Sequence, residues 1–242
     1  MTSNIKKKVK ILGIDFVRIG LGETVKKIGK MIEKGGCYQV GTINPEYVVK
    51  AQDSKQLMRV IAKMDLVVPD GIGIILAAKM KKLGRLERIR GGDLVEELAK
   101  LCAKKGYKIG LVGGERGIAA KALKALKKKF PSLLGFADSE PRVKRIEKEK
   151  PQILLTALSF KGPIWIDQLL TKLKRKKISL VALEVRGAFN YLAGKAKRPP
   201  KIIQKMGLEW LWRLFWEPWR IKRQMSLLKF LFLLFRLNSK KP

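Results

Sequence analysis

The chain has 242 residues and a formal net charge of +34, with 54 Lys and Arg against 20 Asp and Glu. A hydrophobic content of 46% is enough to build a packed core, so the composition excludes a globally disordered chain. The chain contains no histidine, which excludes histidine acid–base chemistry, histidine triads and the usual zinc sites. Any proton transfer therefore falls to a carboxylate or, less readily, to Tyr, Lys or Cys.

The positive surface attracts phosphate groups of nucleic acid, of anionic lipid or of a diphosphate substrate, and charge alone does not choose among them. Cys37 and Cys102 lie in apolar runs without CxxC spacing, which favours a reduced, cytoplasmic compartment and disfavours a metal cluster. The basic N-terminus is unlike a signal peptide. The longest apolar stretch, residues 225–237, is shorter than the ~20 residues of a membrane-spanning helix. We therefore expect no segment to cross a bilayer.

Strand and helix patterns alternate along the first 193 residues. Strands are predicted at 9–16, 37–42, 66–68, 107–112, 153–158 and 178–185. Helices are predicted at 23–33, 45–64 with a break near Ser54, 71–82, from Asp93 onward, 118–129, 163–173 and 187–193. This alternation predicts an α/β fold with a mostly parallel sheet flanked by helices. Because ligands gather at the carboxyl ends of such strands, the turns after the second, third and fourth strands should face one crevice.

The composition changes after the segment KAKRPP, residues 195–200. Residues 199–242 contain four of the five Trp, mixed with Arg and Lys, and Pro218 divides them into two predicted helices. We therefore predict a domain of residues 1–198 and an α-helical appendage of residues 199–242. Aromatic rings beside positive charge suit an anionic membrane surface, which we expect the appendage to bind. A helical hairpin packed on the domain, or a dimer contact, is the alternative.

Polar side chains stand at the ends of the second and third predicted strands. Thr42 and Asn44, in VGTINPE, could hold sugar hydroxyls, or could form a turn in which the following proline keeps Asn44 out of helical angles. Asp70, in VVPDGIGI, could be a general base in the crevice, the N-cap of the next helix, or both. Asp93 has Glu96 three residues later, a capping-box spacing that favours a structural role.

Two further segments could bind phosphate. Arg88 and Arg90, in LERIRGGDL, could place guanidinium forks beside a helix N-terminus, although charge density alone favours a solvated loop. Gly113 and Gly114, in LVGGERG, resemble a phosphate-binding turn that lacks the full glycine fingerprint.

Three arginines of the appendage, Arg213, Arg220 and Arg223, are spaced seven and three residues apart. On one helix this spacing would place them near a common face, but a proline lies between the first and the second. The lysine runs elsewhere mostly flank predicted helices and strands and are typical of a solvated surface. They do not interleave with aromatic residues as a groove for single-stranded nucleic acid would.

Taken together, these segments resemble the WecG/TagA/CpsF family, glycosyltransferase family 26. Six stretches run in the family's order over nearly the whole chain: GTINPEYVVKAQ, DLVVPDGIGI, LERIRGGDL, IGLVGGERG, GAFNYLAGKAKRPP and GLEWLWRLFWEPWRIKRQ. The resemblance implies a Rossmann-like, inverting enzyme of cell-surface polysaccharide synthesis that needs no metal and no cofactor. It implies transfer of an N-acetylmannosamine-type sugar, or its uronic acid, from a UDP-sugar donor. The implied acceptor is an undecaprenyl-diphosphate-linked N-acetylglucosamine.

The resemblance also implies roles for individual residues. Asp70 would be the catalytic base for the acceptor hydroxyl, Arg88 would act on phosphate charge, and the appendage would reach the inner face of the cell membrane and close the active site. The full set expected to bind substrate is Thr42, Asn44, Arg88, Gly113, Gly114, Asn190, Arg213, Arg220 and Arg223. We expect a peripheral membrane protein without a specific nucleic-acid partner, and the sequence is compatible with a homo-oligomer.

Two segments depart from the family's pattern. Where the family has roughly G-x-P-K-Q-E-x-W, residues 159–166 read SFKGPIWI, one residue shorter and without the Gln-Glu pair. Where the family has GVGGxFD, the chain has EVRGAFN, with Glu184 and Arg186 at glycine positions and Asn190 for Asp. Because glycines let a backbone approach a ligand closely, these charged side chains argue for a different donor or lost activity.

The departures leave a second hypothesis open, a catalytically impaired membrane-bound relative that binds a lipid diphosphate or a partner transferase. A third hypothesis, a nucleic-acid binder, is suggested by the net charge alone.

Overall fold

The first element of the structure is a β-hairpin where a single strand is predicted. The computed structural model describes residues 8–197, 199–200, 202–203, 206–218 and 221–236, without the side chains of residues 213 and 222–224. Strands β1 (Lys8–Ile11) and β2 (Ile14–Val17) pair antiparallel. Leu12 and Gly13 reverse the chain with φ angles of 47° and 84°, the left-handed geometry of a tight hairpin turn. The prediction of one strand over 9–16 is therefore wrong, because the apolar alternation continues on both sides of this turn.

Six parallel strands form the main sheet, in the order β4-β3-β8-β7-β5-β6. They are β3 (Cys37–Ile43), β4 (Leu66–Pro69), β5 (Lys108–Gly113), β6 (Leu134–Asp138), β7 (Ile153–Ala157) and β8 (Leu180–Glu184). The predicted parallel α/β fold is confirmed. The sequence reading missed β6, which lies at the sheet edge and has only two buried residues among its five, so it lacks the continuous apolar run of a central strand.

Helices connect the strands and cover both faces of the sheet. They are α1 (Leu21–Lys34), α2 (Pro45–Gln52), α3 (Lys55–Lys63), α4 (Ile72–Met80), α5 (Gly91–Lys105), α6 (Ile118–Lys129), α7 (Val143–Glu149), α8 (Gly162–Arg175) and α9 (Ala188–Leu192). The predicted break near Ser54 is confirmed, because the Ser54 hydroxyl accepts a hydrogen bond from the Leu57 amide and caps α3. Helix α7 was missed.

Alternate residues of the central strands pack into different clusters. Ile153 and Leu155 of β7 belong to the cluster formed with α1, α5, α6 and α9, whereas Leu154 belongs to the cluster formed with α7 and α8. This alternation places the two helix layers on opposite faces of the sheet. Such a sheet is buried on both sides, and its carboxyl edge is left open for ligands.

In the part of the chain after residue 199 that the structure describes, two helices have defined bounds, α10 (Glu209–Trp216) and α11 (Ile221–Arg236). They are separated around Glu217 and Pro218, as predicted. Phe230 and Leu234 of α11 are buried in a third apolar cluster with the hairpin, α2 and α4. The last helix therefore contributes to the core, while the division of the chain at residue 198 stays a prediction. Within the described ranges, no helix has the length and apolar character needed to cross a membrane.

Candidate active site

A cavity of about 660 Å³ opens at the carboxyl edge of the parallel sheet. Five of its lining residues stand at or just after the ends of five strands: Asn44, Asp70, Gly113, Ala157 and Arg186. The chain after residue 199 closes another side through Gly207, Glu209, Trp210, Ser226 and Leu227. The turns predicted to face one crevice therefore do meet there, because parallel strands end at the same edge.

Asp70 follows β4 and lies in the cavity wall with a side chain that is 20% exposed. Its backbone amide donates to the Ile43 carbonyl at 2.9 Å, which ties it to the neighbouring strand. The alternative role as a helix N-cap is wrong, because Gly71 occupies the N-cap position of α4 and no side chain caps the helix. The Asp70 carboxylate instead forms an ion pair with Arg186.

Arg186 is held by two groups and was noted in the sequence only as a departure from a glycine pattern. Its Nη2 donates to Asp70 Oδ2, and its guanidinium carbon lies 4.8 Å from the centre of the Tyr47 ring. The side chain is 13% exposed, and Nη1 is buried without a hydrogen-bond partner among the described residues. Arg186 also adopts a left-handed backbone with φ of 50°, which a glycine would adopt without strain.

Glu184 does not bring charge to the cavity, which corrects the expectation drawn from its glycine position. It is 5% exposed and is not among the lining residues. Its carboxylate accepts hydrogen bonds from the Thr156 hydroxyl at 2.6 Å and from three backbone amides, those of residues 158, 159 and 186, at 3.1–3.2 Å. Burial raises the pKa of the Glu184 carboxyl from 4.5 to about 7, against the opposing effect of these donors.

Thr42 and Asn44, the polar pair predicted to hold sugar hydroxyls, lie in two different environments. The Thr42 side chain is 3% exposed and its hydroxyl donates to the Glu184 carbonyl at 3.0 Å, so Thr42 does not line the cavity. Asn44 does line it, while its Oδ1 accepts from the Tyr47 amide at 3.0 Å and caps α2. With φ of −112° and ψ of 173°, Asn44 has the extended backbone expected before a proline.

Arg88 and Arg90 converge on one carboxylate of the appendage. Arg88 Nη2 lies 2.5 Å from Glu209 Oε2, and Arg90 Nε lies 2.7 Å from Glu209 Oε1. Helix α5 begins directly after Arg90, so this carboxylate stands where a helix N-terminus and two arginines would hold an anion. The predicted capping box at Asp93 is wrong, because the glycines at 91 and 92 are already helical and Asp93 pairs with Arg90 at 3.5 Å.

The glycine pair and Asn190 also line the cavity. Gly113 has φ of 92°, and a Cβ there would lie 2.7 Å from a Leu158 methyl carbon. The Gly114 amide donates to the Ala157 carbonyl at 3.0 Å. Helix α6 begins only at Ile118, so Gly113 and Gly114 do not directly precede a helix N-terminus. Phosphate binding by the glycine turn and substrate binding by Asn190 remain predictions.

The three arginines of the appendage remain predictions as well. Arg213 belongs to α10 and Arg223 to α11, but their side chains, like the whole of Arg220, lie outside the described residues. Glu209 and Arg186 are charged cavity residues whose contacts sequence reasoning missed. Only the unusual charge at residue 186 gave a signal, since nothing local indicates that Glu209 meets arginines about 120 residues earlier.

A cavity at the carboxyl edge of a parallel sheet, lined by a strand-end carboxylate and several guanidinium groups, places the protein among the α/β proteins whose ligand cavity opens at that edge. The model of the glycosyl transferase WecG/TagA/CpsF family matches residues 9–242, and the chain therefore belongs to this family. The predicted resemblance is confirmed, and the protein is an enzyme of the glycosyltransferase type.

Two bacterial relatives share the name N-acetylglucosaminyldiphosphoundecaprenol N-acetyl-beta-D-mannosaminyltransferase. The protein of Staphylococcus aureus (strain MRSA252) is 29% identical over 235 residues, which cover 93% of this chain and 91% of that protein. The protein of Bacillus subtilis (strain 168) is 25% identical over 198 residues, covering 79% of this chain and 76% of that protein. Similarity therefore extends over both the sheet and the region that closes its cavity.

Proposed function

We propose that the protein transfers an N-acetylmannosamine-type sugar, or its uronic acid, from a UDP-sugar to an undecaprenyl-diphosphate-linked N-acetylglucosamine. The reaction inverts the anomeric centre and uses no metal. The observation that carries the proposal is the position of Asp70, a carboxylate in the cavity wall at the end of β4 with arginines around the same cavity. The names of the two relatives support the substrate classes.

Asp70 acts as the general base in this reaction. Its carboxylate takes the proton of an acceptor hydroxyl while that oxygen forms a bond to the anomeric carbon of the donor. The bond from the anomeric carbon to the diphosphate oxygen breaks on the opposite face, which gives inversion, and UDP leaves with the bonding electron pair. Arg88 and the three predicted arginines of the appendage, Arg213, Arg220 and Arg223, stabilise the negative charge that develops on the departing diphosphate.

Exposed apolar side chains support membrane association of the same enzyme. They lie on helices α10 and α11: Leu211, Phe215, Trp216, Ile221, Met225, Leu228, Phe232 and Phe235. Phe215 is 77% exposed, and Lys197 stands 4.6 Å from the Trp216 ring centre, so apolar and positive groups share this surface. Leu76 and Met80 of α4 are exposed too. We propose that this surface lies on the anionic inner face of the cell membrane, where a lipid-linked acceptor is found.

The test is turnover of the full chain with UDP-N-acetylmannosamine and a polyprenyl-diphosphate-linked N-acetylglucosamine on anionic liposomes. We expect Asp70→Asn to lower turnover by about 100-fold or more, because the amide cannot accept the proton. Asp15→Asn is the matched control, since Asp15 is 47% exposed on the hairpin and is not among the cavity residues. Near-normal turnover of Asp70→Asn would reject the assignment of the base.

A second candidate function is a membrane-bound relative that binds a lipid diphosphate or a partner transferase without turnover. The ion pair of Asp70 with Arg186 favours it, because the carboxylate that should act as base is already engaged. Calorimetry with UDP distinguishes the two functions. Saturable heat at millimolar UDP or below, together with turnover in the liposome assay, supports the transferase, and the absence of both supports the second function.

A further inference from the structure

Arg186 is immobilised in the cavity wall but uses few of its hydrogen-bond donors. A guanidinium group carries five N–H bonds in a planar fork that matches the oxygens of a phosphate group. In this structure Nη2 donates to Asp70, the guanidinium carbon lies 4.8 Å from the centre of the Tyr47 ring, and Nη1 is buried without a partner among the described residues. A buried donor without an acceptor is costly, which favours any ligand that supplies one.

The surrounding cavity supplies the setting for an anionic ligand. Arg186 lines the same cavity as Arg88, Arg90 and the first residues of α5. Each of these arginines contacts a carboxylate of the protein, Asp70 in one case and Glu209 in the other two. A diphosphate carries more charge than one carboxylate and offers more acceptor oxygens, so it can replace the carboxylate at the Arg186 fork.

We propose that Arg186 is an additional binding residue for the diphosphate group of the sugar donor, and that Asp70 holds its guanidinium in position until the donor arrives. The inference rests on the proposed function, because it assumes a diphosphate-bearing donor. When the diphosphate engages Arg186, Asp70 Oδ2 loses its donor and becomes available to the acceptor hydroxyl. Donor binding thereby prepares the base, and the unusual arginine at a glycine position becomes part of the active site.

The experiment measures UDP binding by calorimetry in the Asp70→Asn background. In this background the Asp70 carboxylate, which forms an ion pair with Arg186, is already absent. Replacing Arg186 therefore does not leave a half-buried negative charge without its partner. We expect Asp70→Asn/Arg186→Gln to bind UDP at least about ten-fold more weakly than Asp70→Asn alone, the value of a lost charge-assisted hydrogen bond. Asp70→Asn/Arg186→Lys should fall between the two, because the ammonium keeps the charge but not the fork.

Two controls separate a phosphate contact from a general effect. Arg59→Gln in the same background removes the charge of an exposed arginine on helix α3 and should leave the Kd for UDP unchanged. Uridine, which has no phosphate, should bind Asp70→Asn and the Arg186→Gln double variant equally. Matching circular dichroism spectra and melting curves of the variants establish that the fold is retained.

The outcomes are distinct. Equal UDP affinity with and without Arg186, or an equal loss for UDP and uridine, overturns the assignment of Arg186 and leaves the proposed function standing. No UDP binding by the native chain or by any variant overturns both the donor in the proposed function and the inference.

Discussion

Replacing the buried acid Glu184 with glutamine should change how the stability of the protein depends on pH. Burial raises the pKa of the Glu184 carboxyl from 4.5 to about 7 in the folded protein, despite four donor groups that favour the ionised form. Between these pH values the folded protein therefore holds a proton that the unfolded chain has lost. The free energy of unfolding consequently falls as the pH rises from 4.5 through 7, and the fall is nearly complete about one pH unit above 7.

The magnitude follows from the difference between the two pKa values. At about 1.4 kcal/mol for each pH unit, the loss between pH 4.5 and pH 8 is about 3 kcal/mol. Glutamine does not ionise in this range, so the free energy of unfolding of the Glu184→Gln variant does not fall through this residue. Its Oε1 can keep the backbone amides as donors, and its amide group can donate to the Thr156 hydroxyl, which then turns to accept. We expect Glu184→Gln to gain about 3 kcal/mol relative to the native protein between pH 4.5 and pH 8.

Urea unfolding at several pH values, followed by tryptophan fluorescence, measures this difference. The titrations of other groups cancel in the comparison, because both proteins share them. Glu140→Gln is the control for replacing an exposed acid by its amide, since the Glu140 side chain is 69% exposed. A difference between Glu184→Gln and the native protein that stays constant from pH 4.5 to pH 8 would refute the reasoning.

Three further substitutions test the packing and the charge pairs of the structure. Gly162→Ala places a Cβ 2.0 Å from the buried Glu184 carboxylate and should lower the free energy of unfolding in urea by about 1–3 kcal/mol. Gly22→Ala is its control and should not lower this free energy, because a Cβ there meets nothing within 4 Å. Phe230→Ala removes a fully buried ring and should lower the free energy of unfolding by about 3–5 kcal/mol. Phe232→Ala should lower it little, because Phe232 is 61% exposed, and equal losses for the two variants would contradict the packing of α11. Glu209→Gln removes the carboxylate that pairs with Arg88 and Arg90 and should lower the Kd for pyrophosphate in calorimetry by about five-fold. An unchanged Kd would contradict competition between the Glu209 carboxylate and anions for these arginines.

The sequence predicts those parts of the fold that depend on local pattern. Central strands such as Leu180–Glu184 are buried along their whole length and give a continuous apolar run. The edge strand Leu134–Asp138 has one exposed and two half-buried residues among its five, so its pattern resembles a loop. The hairpin turn at Leu12 and Gly13 was missed because apolar alternation alone does not show where an antiparallel strand reverses.

The cavity was predictable in outline because the carboxyl ends of parallel strands must meet at one edge. This rule brought Asn44, Asp70 and the Gly113 turn together without any knowledge of side-chain contacts. The ionic partners were not predictable, since Asp70 and Arg186 are 116 residues apart and meet only through the strand order. Local signals also misled at Asp93, where a capping-box spacing occurs inside a helix that has already begun.

The large net charge of the chain and the charge of its cavity therefore have different consequences. The three cavity arginines at 88, 90 and 186 each contact a carboxylate, whereas the lysines at 127–129 at the end of α6 are exposed. Exposed lysines of this kind can attract an anionic membrane over a distance set by salt. Under the proposed function, a diphosphate that enters the cavity has to exchange with carboxylates that already hold the arginines, so we expect its binding to depend on contact geometry more than on net charge. The charge of +34 therefore supports the proposed membrane surface, and the paired arginines bear on the proposed diphosphate donor.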